Sequence, residues 1–151
     1  MAVNVQSDTE IQRPAGEVFA FLANGENMPR WMDVFETVKK ASDGPVGQGT
    51  TYEYKMARRG KAESTFEWSV YQPNTKLAWE GPPVAAGPGT LEPKGEYEIT
   101  DHGDHTHVTM RMNPGTTGLM TLMGPLVARG MRKEAAGNMQ RLKDMLEHQQ
   151  G

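Results

Sequence analysis

The 151-residue sequence predicts an α+β fold in which one long C-terminal helix covers a face of an antiparallel sheet. Two observations carry this expectation. Between about residues 34 and 113, short runs with apolar side chains at every second position alternate with turn clusters, the signature of consecutive antiparallel strands. From about 125 to 148 the period changes, and Val127, Ala128, Met131, Ala135, Met139, Leu142, Met145 and Leu146 fall on one helical stripe. A sheet and a helix that each carry one apolar face bury both by packing together.

Each element has its own local reason. Val3, Val5, Ser7, Thr9 and Ile11 share one face of an extended segment and Asn4, Gln6, Asp8 and Glu10 the other, which predicts a half-buried first strand. Pro14 suits the first turn of a helix, Glu17 sits near its positive end, and Val18, Phe19, Phe21 and Leu22 follow at helical spacing. That short helix, about 14–23, stops at Asn24-Gly25, and Glu26 to Met32 reads as a second short helix or turn. Phe35 to Ala41 is a strand closed by Ser42-Asp43-Gly44-Pro45. Thr50, Tyr52, Tyr54 and Met56 then alternate with Thr51, Glu53 and Lys55. A polar hairpin tip, Arg58-Arg59-Gly60-Lys61, leads into Ala62, Ser64, Phe66, Trp68 and Val70, which oppose Glu63, Thr65, Glu67 and Ser69. Gln72-Pro73-Asn74 turns the chain into Lys76 to Glu80. Gly81 to Gly89 holds three Pro and three Gly and reads as a long loop. Tyr97 and Ile99 open a strand, Asp101 to Asp104 turns it, and Val108, Met110 and Met112 return. Leu119, Leu122, Met123 and Leu126 are out of phase with the terminal stripe, so a short helical or looping segment over about 116–123 precedes the long helix at Gly124-Pro125.

Composition narrows the class of function. The apolar share of 36%, with 17 Gly in addition, is that of a globular chain, and its length suits one domain, 1–151. No Cys is present, which excludes a cysteine nucleophile, cysteine-held iron–sulfur clusters and thiolate zinc sites. A net charge of −3 gives no electrostatic case for nucleic acid as a partner. Met1 to Glu10 has neither the basic start nor the apolar run of a secretory signal, and no stretch reaches the roughly 18 apolar residues of a membrane span. The expected location is cytoplasmic.

The order of elements, with Ile11-Gln12-Arg13-Pro14-Ala15-Gly16-Glu17-Val18-Phe19, Asn27-Met28-Pro29-Arg30-Trp31 and the terminal Leu142-Lys143-Asp144-Met145-Leu146-Glu147, resembles the SRPBCC superfamily of START-like proteins, and within it the polyketide cyclase/dehydrase type. The resemblance implies a helix-grip fold: a curved antiparallel sheet wrapped around the long C-terminal helix, with two short helices after the first strand. It also implies an apolar cavity between sheet and helix. The inward set supplies its lining, with Tyr52, Tyr54, Met56, Phe66, Trp68, Tyr97, Met110 and Met112 facing Met131, Ala135 and Met139, and Trp31 at an entrance. Ser64 and Asn138 join the tyrosines as polar candidates for ligand contact. Eleven Met favour walls that repack around different guests.

Glu53, Lys55, Glu63, Glu67, Lys94, Glu96, Glu98 and Arg111 take the outward phase of their strands, leaving no acid/base pair inside for proton transfer. The expected function is therefore non-catalytic: binding of a hydrophobic polyketide-, lipid- or isoprenoid-like small molecule. The alternative is a cyclase/dehydratase-like enzyme in which Tyr52, Tyr54 and Asn138 position a poly-keto chain and polarise a carbonyl. His102, His105 and His107, with Asp101 and Asp104, put imidazoles and carboxylates within seven residues, and His105 and His107 have a spacing that can share a metal, but such a stretch is more commonly a solvated turn, and no metal or cofactor is assigned. Gly47-Gln48-Gly49 and Gly87-Pro88-Gly89 open no helix after a strand and are turn punctuation, not a phosphate cradle. Arg129, Arg132, Lys133, Gln140, Lys143 and Glu147 read as the solvated helix face. Gly81–Gly89 and Gly115–Gly124 are expected to flank the cavity mouth as its gate, with Leu119, Leu122 and Met123 as the gate's inner surface. Oligomeric state and ligand identity are left open by the sequence.

Overall fold

The computed structural model describes residues 4–57, 63–86, 89–118 and 124–148. In chain order these form β1 (Val5–Ile11), α1 (Ala15–Ala23), a 3-10 turn (Gly25–Asn27), α2 (Met28–Trp31), β2 (Phe35–Lys40), β3 (Thr51–Met56), β4 (Glu63–Gln72) and β5 (Lys76–Glu80). They continue through β6 (Val84–Ala86), β7 (Gly89–Glu92), β8 (Lys94–Asp101), β9 (Thr106–Met112), β10 (Gly115–Gly118) and α3 (Gly124–His148). Val3, the Arg58-Arg59-Gly60-Lys61 tip with Ala62, Gly87-Pro88, and Leu119, Leu122 and Met123 lie outside the described residues.

Seven strands build the main sheet in the order β1-β9-β8-β5-β4-β3-β2, antiparallel throughout. Strands β1 and β2 are neighbours in sequence but occupy opposite edges, so the chain between them crosses the sheet, and α1, the 3-10 turn and α2 make that crossing. Register shifts at Phe35/Thr37 in β2 and Trp68/Val70 in β4 add local bend and twist, which curls the sheet around what packs on it. The concave face carries the large side chains: Tyr52, Phe66, Trp68, Leu77, Tyr97, Val108 and Met110 are buried.

Two sets of hydrogen bonds fasten the helices to this face. At the end of α1 the Ala23 carbonyl accepts from both the Tyr52 hydroxyl, at 3.2 Å, and Trp68 Nε1, at 3.0 Å. Gly25 passes so close beneath the Tyr52 ring that a Cβ there would stand 2.8 Å from its Cζ. At the other fastening, the C-terminal half of α3 is tied to β1 and α2. Lys143 Nζ donates to the Glu10 carbonyl at 2.6 Å, the Gln12 amide donates to Glu147 at 2.8 Å, Arg13 donates to the Glu147 carbonyl at 2.7 Å, and Arg141 Nε donates to the Trp31 carbonyl at 3.1 Å. Lys143 and Glu147 are thus tethers, not members of a freely solvated face: periodicity locates them away from the apolar stripe but does not show that β1 reaches round to meet them.

The main departure from expectation is a second sheet, β10-β7-β6. The long loop expected over Gly81 to Gly89 contains β6 and runs into β7, and the segment expected to be helical or looping from 116 begins as β10. Short pairings account for this. Thr116 and Thr117 oppose Leu91 and Thr90, and Val84 opposes Leu91 from the other side. β-Branched residues between glycines and prolines are enough for strands of three or four residues once a partner is present.

Gly95 shows how tightly β8 is overlaid. A Cβ there would stand 2.3 Å from Trp79 Cζ2 and 2.7 Å from the Arg111 carbonyl oxygen. The indole has somewhere to move, but the backbone of the neighbouring strand does not. Gly95→Ala is expected to destabilise the protein by about 1–3 kcal/mol in urea denaturation, the usual range for overpacking; wild-type stability in this variant would mean that the β8–β9 spacing is not the constraint described.

Candidate ligand cavity

A cavity of about 400 Å³ lies between the main sheet, α2, α3 and the small sheet. Its wall is apolar apart from a few groups. Of the residues expected to line it, Tyr54, Met56, Phe66, Tyr97, Met112, Met131 and Asn138 do so. The others are elsewhere. Trp31, expected at an entrance, is only 1% exposed and packs against the Tyr97 ring at 5.9 Å. Tyr52 and Trp68 spend their polar atoms on the Ala23 carbonyl. Met110, Ala135 and Met139 are buried in the core, and Ser64 sits opposite Tyr54 across β3 and β4.

Several wall residues were not anticipated. Met28 and Met32 come from α2 and its end, Val34 and Phe35 from the start of β2, and Val84, Ala85 and Leu91 from the small sheet. Trp79 was within reach of sequence reasoning, because it alternates with Leu77 on β5. Its ring packs on Tyr97 at 4.9 Å. Lys94 and Glu134 also contribute to the wall, which corrects the expectation that charge stays outside. Lys94 opens β8 directly after Pro93, where the main sheet gives way to the small one, and strand phase no longer decides orientation.

Three polar groups are distinctive. Burial raises the Tyr54 hydroxyl above its ordinary value, and the nearby Ser64 hydroxyl offsets part of the rise. Asn138, 3% exposed, has its amide oxygen held by Arg141 Nη2 at 2.6 Å, which leaves the amide nitrogen as the group it can offer a ligand. Tyr97 is fully buried, and its hydroxyl is the one buried side-chain polar atom among the described residues with no hydrogen-bond partner. A buried group left unsatisfied costs about 1–3 kcal/mol.

A curved antiparallel sheet gripping a terminal helix around an apolar cavity defines the START-like, helix-grip class, the SRPBCC superfamily. The chain belongs to the polyketide cyclase/dehydrase and lipid transport family, whose sequence profile matches residues 2–147. No curated protein matches it by sequence. Among solved structures it is similar to the Zhui aromatase/cyclase from Streptomyces sp. R1128, with a TM-score of 0.76, 14% identity, and coverage of 99% of this chain and 96% of that one. A START superfamily protein from Mycobacterium smegmatis gives a TM-score of 0.72 at 16% identity, covering 98% and 99% of the two chains. A conserved protein from Geobacillus kaustophilus gives 0.74 at 13%, covering 97% and 95%. At such identities the likeness is one of fold.

On the outer face of the sheet, away from the cavity, the histidines face carboxylates. His107 lies between Glu10, which hydrogen-bonds its Nδ1, and Asp8, 3.0 Å from Nε2. His105 lies between Asp104, at 2.8 Å, and Glu10, at 3.4 Å, and its ring stacks on that of His102. Among the described residues no three such groups are placed to hold a metal ion. The hydrogen bond from Glu10 holds the His107 imidazole above its ordinary 6.5, and His107 holds the Glu10 carboxyl below its ordinary 4.5. The histidine contribution is complete below pH 6.5 and is lost as pH rises through the elevated value; the carboxylate contribution is complete above pH 4.5 and is lost as pH falls through the depressed one. The stability advantage of wild type over His107→Gln should therefore be largest between these limits and shrink as pH rises through the elevated histidine value, as measured by thermal melts across pH. A difference that does not change with pH would show that the pair contributes nothing.

Proposed function

We propose that the protein binds a hydrophobic small molecule, polyketide-, lipid- or isoprenoid-like, in the cavity between its sheet and α3. The observation that carries this is the cavity itself: about 400 Å³, enclosed by methionine, aromatic and aliphatic side chains with a few convergent polar groups. Binding sites for small molecules have this size and make-up, typically about 300–1,000 Å³. Five of the wall residues, Met28, Met32, Met56, Met112 and Met131, are unbranched thioethers that fill irregular space and repack readily. Membership of a family described by cyclase, dehydrase and lipid-transport members supports the same class of ligand.

A second reading is favoured by Tyr54 and Asn138, which put hydrogen-bonding groups in the wall. In it the cavity is the active site of a cyclase/dehydratase-like enzyme that works by folding a poly-keto chain and polarising a carbonyl. Tyr52 has no part in it, because its hydroxyl is held by Ala23. Incubation with a poly-keto chain separates the readings: recovery of the compound unchanged supports a binder, and ring closure that Tyr54→Phe slows supports the enzyme.

The binding reading is tested by native mass spectrometry and thermal shift with flat aromatics, fatty acids and isoprenoids. A ligand present at about 100 times its Kd should raise Tm by about 5–10 °C. Met131→Trp, which fills the cavity from α3, should weaken that ligand at least tenfold. Absence of any bound species, or a Met131→Trp variant that binds as well as wild type, would defeat the assignment.

A further inference from the structure

We propose that the ligand carries an oxygen acceptor, a ketone or quinone-type carbonyl, on its buried part, and that the Tyr97 hydroxyl is the group that recognises it. This rests on the cavity being a ligand site and narrows the ligand from apolar molecules in general to oxygen-bearing cyclic or poly-keto ones, at the expense of plain hydrocarbon chains.

Elsewhere in the aromatic core the protein supplies partners for polar atoms that it buries: the Tyr52 hydroxyl and the Trp68 indole share the Ala23 carbonyl, and Arg141 donates to the Asn138 amide oxygen. Among the described residues the Tyr97 hydroxyl is the one fully buried side-chain polar atom left without a partner. Its ring is part of the cavity wall, and around it stand the Trp31, Trp68 and Trp79 rings at 5.9, 6.5 and 4.9 Å, which offer no carbonyl or carboxylate. Burial also keeps the hydroxyl protonated far above the ordinary tyrosine range, so it stays a donor. A phenylalanine would pack equally well here and would avoid burying an unsatisfied donor. A tyrosine in this place gains only when something else supplies the acceptor, and the neighbouring space that a molecule can enter is the cavity. Because the hydroxyl is sealed when the cavity is empty, the ligand reaches it by displacing flexible side chains of the same wall, such as Met112 and Met131.

Fluorenone and fluorene test this directly, since they share one flat tricyclic skeleton and differ in a carbonyl against a methylene. Titrations followed by tryptophan fluorescence should show wild type binding fluorenone about tenfold more tightly than fluorene, which corresponds to one hydrogen bond. Tyr97→Phe should lose that preference, weaken fluorenone about tenfold, leave fluorene unchanged, and melt at or above the wild-type temperature without ligand. Tyr52→Phe, which removes a satisfied hydroxyl outside the wall, should lower the melting temperature and keep the preference. Equal affinities in wild type, or a preference that survives Tyr97→Phe or disappears in Tyr52→Phe, overturn the inference while leaving the cavity reading intact. An ordered water on the hydroxyl that persists when fluorenone is bound overturns it as well. Binding of neither compound removes both the inference and the cavity reading on which it rests.

Discussion

A single helix fastened by one end to one edge of a curved seven-stranded sheet cannot fill the sheet's concave face, and the rest of the structure follows from that constraint. The bonds from Lys143, Glu147, Arg13 and Arg141 hold the C-terminal half of α3 against β1 and α2, where Ala135, Met139, Leu142 and Leu146 are buried in the core. At its middle and towards its N-terminus the helix presents Asn138, Glu134 and Met131 to a cavity instead of to a packed layer. The cavity is what remains of the interior once the helix has been anchored.

The helical crossing from β1 to β2 sets how far the core extends. The Ala23 carbonyl draws Tyr52 and Trp68 together beneath the end of α1, and these two rings, with Phe66, form a stacked and edge-on aromatic group. Met28 and Met32 then carry the same crossing segment onto the cavity wall. The small sheet adds Val84, Ala85 and Leu91, and Pro114 next to it. The two stretches expected to flank the mouth as separate loops thus meet in one structure, since β6 and β10 pair with β7 on either side. Among the described residues no helix is long and apolar enough to cross a membrane.

How much of this was legible in the sequence depended on the kind of order involved. Strict alternation located β3, β4 and β9, and helical spacing located α3, because burial on one face writes itself into local periodicity. Alternation also gave the correct face for Tyr52, Tyr54, Phe66 and Trp68, but not which of them reach open space. Tyr54 and Phe66 do; Tyr52 and Trp68 are taken up by a carbonyl 29 and 45 residues away, which no local pattern encodes. The tethering of Lys143 and Glu147 was hidden for the same reason. The small sheet was missed because glycine and proline punctuate its strands so closely that no run is long enough to show a period. The missing partner of Tyr97 was beyond any sequence reading, since a lack of neighbours is a property of the whole fold.

The proposed function turns on the space between sheet and helix being a ligand site and not a void that closes in solution. A crystal structure of the protein purified without added ligand decides between the two. A ligand site would show continuous density between Tyr54, Phe66, Met112, Met131 and Asn138, or an open space of similar volume that accepts a soaked aromatic compound. Methionine side chains turned inward to fill the space, with no room for more than isolated waters and no uptake on soaking, would contradict it.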